Sequence, residues 1–597
     1  MDIRDKIPSL KDAKDTSVNV VKKTNEKLSD LNDTVIDSSI IAIETTDQKL
    51  RKKPTLKQRR ANRKVFSWLF LACALMLAFF LRREYLPIYS SNDPAEGGVY
   101  IEGSTSKIGN LNPLFATEDA EKSVTKLVFS SLFEYNSQGE LVGDLAESIK
   151  PNEDNDIYTV VLRQDAYWHD GEQVTSEDVV TTYDKLQHPD TGAVNRGDWL
   201  GVKAQAIDDF TVTFALSSTY SPFPSLLTNS ILPDHIFNEI APNEVRLNEF
   251  SQAPTVGSGP FKFERLEDSP DNQQVDLSKN QDYYGQIPNI DEFIIRTYKS
   301  NELLVRDYEG DKLSAIYGLS IDDLRGLMQN EKLTDGYRTN FERNAATFVF
   351  LKNNDDILKE SAVRKALSLA TNRSEVVENS LETSLPIFRP ILSSQNVDLV
   401  QSAKQSYDEE KAIKTLEDAG WVLSGDVRQK DGEKLSIKLH AADSKESSAV
   451  ANTLKTQWES VGFQVTLELK SSEQLNQENI IPHDYQAILF GFEMTADPDV
   501  FSLWHSAQSG TSGVNLSELK STIIDESLEA GRTRADDELR QEKYTSFIDE
   551  WIKINPAIAL YRPNFAYITK DYVSGVEPSP ISSIDERLNS VENWSVD

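Results

Sequence analysis

The chain has 597 residues and is 39% hydrophobic, with 25 Phe, 20 Tyr and 8 Trp, which excludes a disordered polymer and predicts two or three structural units. Its formal charge of -33 is uneven: residues 1–64 hold 16 Lys and Arg against 10 Asp and Glu, and residues 97–597 hold 45 against 83. The acidic large part has no basic stripe to release counterions from a polyanion, which excludes nucleic acid as its partner, and the single cysteine, Cys73, excludes an intramolecular disulfide and a Cys-based zinc site.

Residues 1–50 are polar, with a faint heptad-like row of Val21, Leu28, Leu31 and Val35, and predict disorder with one short helix. Eight basic residues stand between Arg51 and Lys64, and the 17 residues from Val65 to Leu81 carry no charge. As a helix that run rises about 25 Å, near the lower limit for crossing a bilayer. Trp68 suits one interface, and Arg82 and Arg83 can snorkel at the other. The cationic excess precedes the helix, so the positive-inside rule predicts a single-pass cell-membrane protein with a cytoplasmic N-terminus and everything after Tyr85 outside. A cleaved signal peptide is the rival reading. Against it stand the fifty polar residues before the basic flank and the lack of a prompt small-x-small site. Cys73 as a lipid-modified cysteine is weaker still, since eight residues of the apolar run follow it.

Residues 82–96 read as a linker. Beyond it, strand-like runs such as Tyr158–Leu162 and Thr211–Leu216 alternate with helical stretches such as Ala362–Ala370 and Ala449–Val461, so the class is α/β. Trp168-His169-Asp170-Gly171 ends a strand in an Asp-Gly turn, and Thr175 then supplies an N-cap with Asp178 placed for a capping box. His169 in that turn reads as a fold-maintaining hydrogen-bonder before a metal ligand or base. Gly257-Ser258-Gly259-Pro260 imitates a phosphate loop, but lacks the Lys-Ser/Thr ending and loses a donor at Pro260.

Sequence blocks in a fixed order carry a family resemblance. They are Gly98 to Gly103, Leu111-Asn112-Pro113-Leu114, Gly143 to Ser148, Tyr158 to Arg163 with Trp168 to Gly171, Gly257 to Phe261, Val363 to Leu367 with Asn372-Arg373, Ala419-Gly420-Trp421, and Asp497-Pro498-Asp499 with Leu503 to Ser506, ending in Pro556 to Tyr561. In this order the chain from Gly97 onward resembles the extracellular solute-binding proteins of family 5, which serve peptide, dipeptide and nickel ABC importers.

The resemblance implies a two-lobed periplasmic-binding-protein-like fold of type II with an extra domain, preceded here by the transmembrane helix 65–81. Lobe I would comprise residues 97–142, 254–345 and 561–597, the extra domain 143–253, and lobe II 346–560. It implies a binding protein, not an enzyme, that captures peptides between hinged lobes and delivers them to a permease as a monomer, with no cofactor; the membrane anchor is expected from residues 51–83 alone. Carried over by position, Thr117, Glu118 and Asp119 would line the cleft, and Gly491, Phe492, Glu493 and Met494 would pair with ligand main chain. Asp497 is the nearest carboxylate to the family's amine-binding position, displaced in spacing, and Asp-Pro equally begins a turn or caps a helix. Trp199 stands where an aromatic faces the cleft, and a core place suits it equally; Trp421 and Trp504 read as core.

Enzymatic motifs are missing. The histidines 169, 188, 235, 440, 483 and 505 form no helical-turn pair for a metal, and neither Gly-x-Ser-x-Gly, Gly-x-Gly-x-x-Gly nor a P-loop occurs. The alternatives are a receptor for a nickel chelate, an oligosaccharide or an opine, or a sensor or adhesion module using residues 1–64 as a docking arm.

Overall fold

The computed structural model describes residues 97–319, 336–380, 384–395, 397, 402–534 and 536–597. The polar segment 1–64, the apolar run 65–81 and the linker 82–96 lie outside the described residues. Among those described, no helix is long and apolar enough to cross a membrane.

The first lobe is built on an eight-stranded sheet in the order Pro580–Ile581, Gly336–Arg343, Asn564–Lys570, Ala315–Tyr317, Val99–Ser104, Glu292–Tyr298, Asn272–Lys279, Phe261–Asp268. Val99–Ser104 runs parallel to both of its neighbours, and Tyr100 and Glu102 within it are wholly buried. Parallel neighbours require long crossovers. Here one of them contains the helix Asp119–Val128 and an entire small domain before the chain returns at Phe261.

That small domain has a four-stranded antiparallel sheet in the order Ala146–Pro151, Ile157–Leu162, Thr211–Ala215, Lys203–Asp208, covered by the helix Ser176–Gln187. Tyr158, Val160 and Leu162 alternate inward from one strand, as a half-buried sheet demands. The helix starts as its sequence predicts: the Asp178 carboxylate accepts the Thr175 N–H at 2.7 Å. His169 ties the domain to the returning chain. Its Nε2–H donates to the Gly259 carbonyl and its Nδ1 accepts from the Gly257 N–H, both at 3.1 Å. Burial lowers its pKa to about 4, so the ring is neutral and its tautomer fixed. Gly257 and Gly259 serve close approach, because a Cβ would lie 2.0 Å from the Val128 carbonyl oxygen and 2.6 Å from that of Leu127. Trp168 and Tyr158 share one continuous core with Leu111, Phe129, Phe261 and Trp594, so small domain and first lobe are packed as one body.

The second lobe carries six strands in the order Leu385–Pro386, Ala557–Arg562, Ala345–Leu351, Ala487–Glu493, Ser436–Ala442, Gln464–Lys470. Both faces of this sheet are covered. Val349 and Leu351 enter one core with Trp421 and Trp458, whereas Phe348 and Phe350 enter another with Trp504 and Trp551, the period-two alternation of a strand. The helices Ser361–Ala370 and Lys445–Ser460 lie where the sequence predicts them.

The chain crosses between the lobes at Asn344, joining Gly336–Arg343 to Ala345–Leu351, and at Pro563, joining Ala557–Arg562 to Asn564–Lys570. The crossings are bonded to each other. Arg343 N–H donates to the Pro563 carbonyl at 3.3 Å, Arg562 Nε donates to the Arg343 carbonyl at 3.0 Å, and Arg562 pairs with Glu342.

Candidate functional site

From the first lobe, the loop through Leu111-Asn112-Pro113-Leu114 leads into the helix Asp119–Val128. Glu121, 4% exposed, organises it. One of its carboxylate oxygens accepts the N–H groups of Gly109 and Asn110, both at 2.8 Å, and the other accepts those of Thr117 at 2.9 Å and Glu118 at 3.1 Å. Four donors on one carboxylate set the position of the loop. Thr117 and Glu118 are left exposed and Asp119 half-buried. Burial raises the Asp119 pKa against the opposing pull of Lys122, Arg587 and Arg343, and Arg343 in turn pairs with Glu493 on the other lobe. Asp119 thus feels the charge of Arg343, which pairs with Glu493 beside the first crossing.

From the second lobe, Ala487–Glu493 is laddered along its whole length to Ala345–Leu351, and to Ser436–Ala442 only at Ala487 and Ile488. From Leu489 to Glu493, among the described residues, its second edge has no strand beside it. Gly491 and Glu493 are exposed, Phe492 is half-buried against Phe350 and Phe490, and Met494 is buried with its N–H on the Asn344 carbonyl at 2.6 Å.

Asp497 follows. Arg540, from the helix Asp537–Ile554, donates Nη2 to both Asp497 carboxylate oxygens at 3.0 and 2.9 Å, and the Asp499 N–H bonds the first of them at 2.9 Å. Burial raises the Asp497 pKa while Arg540 opposes it. The Asp497 charge is therefore matched within the protein, in the Asp-Pro turn that its sequence equally allows. Asp499 accepts the Phe501 N–H at 3.2 Å, while the N-cap of the short helix Phe501–Trp504 is Val500, which makes no side-chain cap.

Two cavities adjoin one another at Tyr135, one beside Asp497 and the other beside Thr117. The larger, about 600 Å³, is lined by Tyr135, Ser221, Pro222, Asp497, Arg540 and Tyr544. The second, about 430 Å³, has Thr117, Lys122, Tyr135, Asn229, Asp585 and Glu586 in its wall. Tyr135 belongs to both, and its hydroxyl pKa is raised by burial and by Glu586 and Asp497. Glu586 is pushed up to about 7 by burial and by Asp585. The Tyr544 hydroxyl is enclosed without a hydrogen-bond partner among the described residues. Among them, too, no three His, Cys, Asp or Glu side chains converge to hold a metal ion.

Trp199 is not in this wall. It is wholly buried between Tyr183, Phe214 and Phe223, with ring centroids at 4.0, 6.3 and 5.9 Å, so the expectation that it faces the cleft is corrected to a core role in the small domain. Sequence reasoning passed over Glu121, Tyr135, Arg343, Arg540 and Tyr544. Glu121 alone had a signal, three residues after the N-cap Glu118 in the position of a capping box.

Residues 140–513, more than half of the chain, match the family model of bacterial extracellular solute-binding proteins, family 5, middle region. The chain is 26% identical over 526 residues to the oligopeptide-binding protein AppA of Bacillus subtilis, covering 85% of this chain and 93% of that protein. Its fold is that of the solved AppA in complex with a nonapeptide, with a TM-score of 0.63 at 22% identity over 85% of this chain and 100% of the other. It is likewise that of NikZ from Campylobacter jejuni in complex with Ni(L-His), with a TM-score of 0.65 at 22% identity over 83% and 99%. A two-lobed α/β architecture and the family match across both lobes lead to one conclusion: the chain belongs to the bacterial extracellular solute-binding proteins of family 5, and it is a binding protein rather than an enzyme.

Proposed function

We propose that this protein captures peptides in the cleft between its lobes and delivers them to the permease of an ABC importer, held at the outer membrane face by residues 65–81. The observation that carries the reading is the edge Leu489–Glu493, which among the described residues has no strand beside it. Such an edge accepts an extended main chain as an added strand, so affinity comes from the backbone and many side chains are tolerated. Thr117, Glu118 and Asp119 face the same cargo from the first lobe, with Gly491, Phe492, Glu493 and Met494 on the strand side. The oligopeptide-binding AppA and its nonapeptide complex support this cargo class.

Asp497 serves with Arg540 as a paired wall rather than as a lone amine reader. The amine of a bound peptide then finds its carboxylate at Glu493, whose side chain is 69% exposed and shared with Arg343. Native mass spectrometry of full-length protein in detergent tests the reading. A heterogeneous set of short peptides is the expected co-purifying material; a metal chelate or a sugar in its place defeats it. Anchoring is checked separately, by whether the protein stays with the membrane through alkaline carbonate extraction.

A further inference from the structure

The larger cavity is bordered on the small-domain side by Ser221 and Pro222, and the residue before them reaches across to the second lobe. Tyr220 Oη donates to Asp499 Oδ2 at 3.3 Å, and Arg532 Nε donates to the same oxygen at 2.9 Å. The Arg532 guanidinium lies over the Tyr220 ring at 5.3 Å and over the Phe501 ring at 4.2 Å. Phe501 stacks in turn on His505, with centroids 4.0 Å apart and planes 15° from parallel. Four flat groups are thereby layered from the small domain into the second lobe, with the cation between two aromatic faces.

The main chain joins at the same place. Ser221 N–H donates to the Arg532 carbonyl at 2.9 Å, and the Ser221 hydroxyl donates to the Arg534 carbonyl. Asp499 is only 7% exposed, so its charge is withdrawn from water and depends on its partners. Tyr220 lies in the connection between the strand Thr211–Ala215 and the turn Phe223–Leu226, whereas Arg532 ends the helix Thr522–Thr533. Sequence separation between the two sides is about three hundred residues, 279 for Tyr220 and Asp499, and the contacts exist only when the lobes are together.

We infer that Arg532, Tyr220, Ser221 and Asp499 form a clasp that shuts the cleft at the end of the larger cavity, so that closure is sustained without cargo and release waits on its opening. The clasp concerns the lobes themselves; its effect on cargo rests on the capture reading.

Double electron–electron resonance on the full chain carrying Cys73→Ser, Lys203→Cys and Lys414→Cys tests this, since Lys203 on the small domain and Lys414 on the second lobe are both exposed. Without peptide, the parent is expected to hold mainly the short interlobe distance. Arg532→Ala should move most of that population to longer distances, Tyr220→Phe should move it less, and Arg532→Lys should restore it only in part. An unchanged melting temperature establishes that each variant is folded. Dissociation of a synthetic nonapeptide, followed by stopped flow, should be about tenfold faster in Arg532→Ala. Identical distance distributions in the parent and Arg532→Ala overturn the clasp. If no peptide binds the parent, the capture reading has failed, and the peptide-free distances still decide the clasp.

Discussion

Arg587 and Glu102 meet with no exposure of either side chain. The Glu102 carboxylate also accepts the Tyr567 hydroxyl at 2.5 Å, and the guanidinium lies 4.5 Å from the centre of the Tyr317 ring. Removing one member of such a pair strands the other charge in a dry site, so Glu102→Gln should cost about 3–5 kcal/mol, read as a shift of the urea midpoint at constant slope. Glu102→Leu combined with Arg587→Met should recover most of that loss. His169 provides a pH dependence. Its folded pKa of about 4 lies below the ordinary histidine value, so the unfolded chain takes up the proton first. The His169 contribution is therefore complete above about pH 6.5 and is lost as pH falls toward 4, by up to about 3 kcal/mol. His169→Gln should be less stable than the parent at pH 7, and the gap should close in thermal melts taken progressively down to pH 4. That role was legible because a histidine in an Asp-Gly turn has close polar neighbours in the backbone. The partner of Asp497 was not, since Arg540 stands 43 positions away on another element. Trp199 misled because an aromatic beside a cleft and one beneath it have the same spelling.

Strands and helices declared themselves by period, and their ends by caps such as Thr175 and Asp178. An element's neighbours are a different kind of fact. Nothing in Ala487–Glu493 says that Ser436–Ala442 accompanies it only as far as Ile488, yet that early parting leaves the free edge. Main-chain recognition there has a chemical signature: methylating a peptide nitrogen deletes one donor without changing the side chain. A nonapeptide N-methylated at each position in turn should lose about five- to tenfold in affinity at the alternate positions that donate to the strand, from about 1–1.5 kcal/mol per hydrogen bond, and little between them. Isothermal titration calorimetry showing a flat profile would remove the strand from the site.

At the scale of the molecule, the order of the sequence blocks already carried the two-lobed fold, because blocks on both sides of each crossing must recur together for the lobes to close on themselves. The acidic bias of residues 97–597, 45 basic against 83 acidic side chains, acts over a Debye length rather than at one contact. Association of a lysine-rich peptide should therefore slow several-fold between about 50 and 500 mM salt while that of a neutral peptide holds steady, as stopped-flow rates will show. The shared core of first lobe and small domain has a mechanical meaning. With Tyr158, Trp168 and Phe261 in one packed mass, the first lobe and the small domain are one part and the second lobe is the other, rather than three separate pieces. Under the capture reading, anything gripping the first part would feel occupancy as the angle of the second.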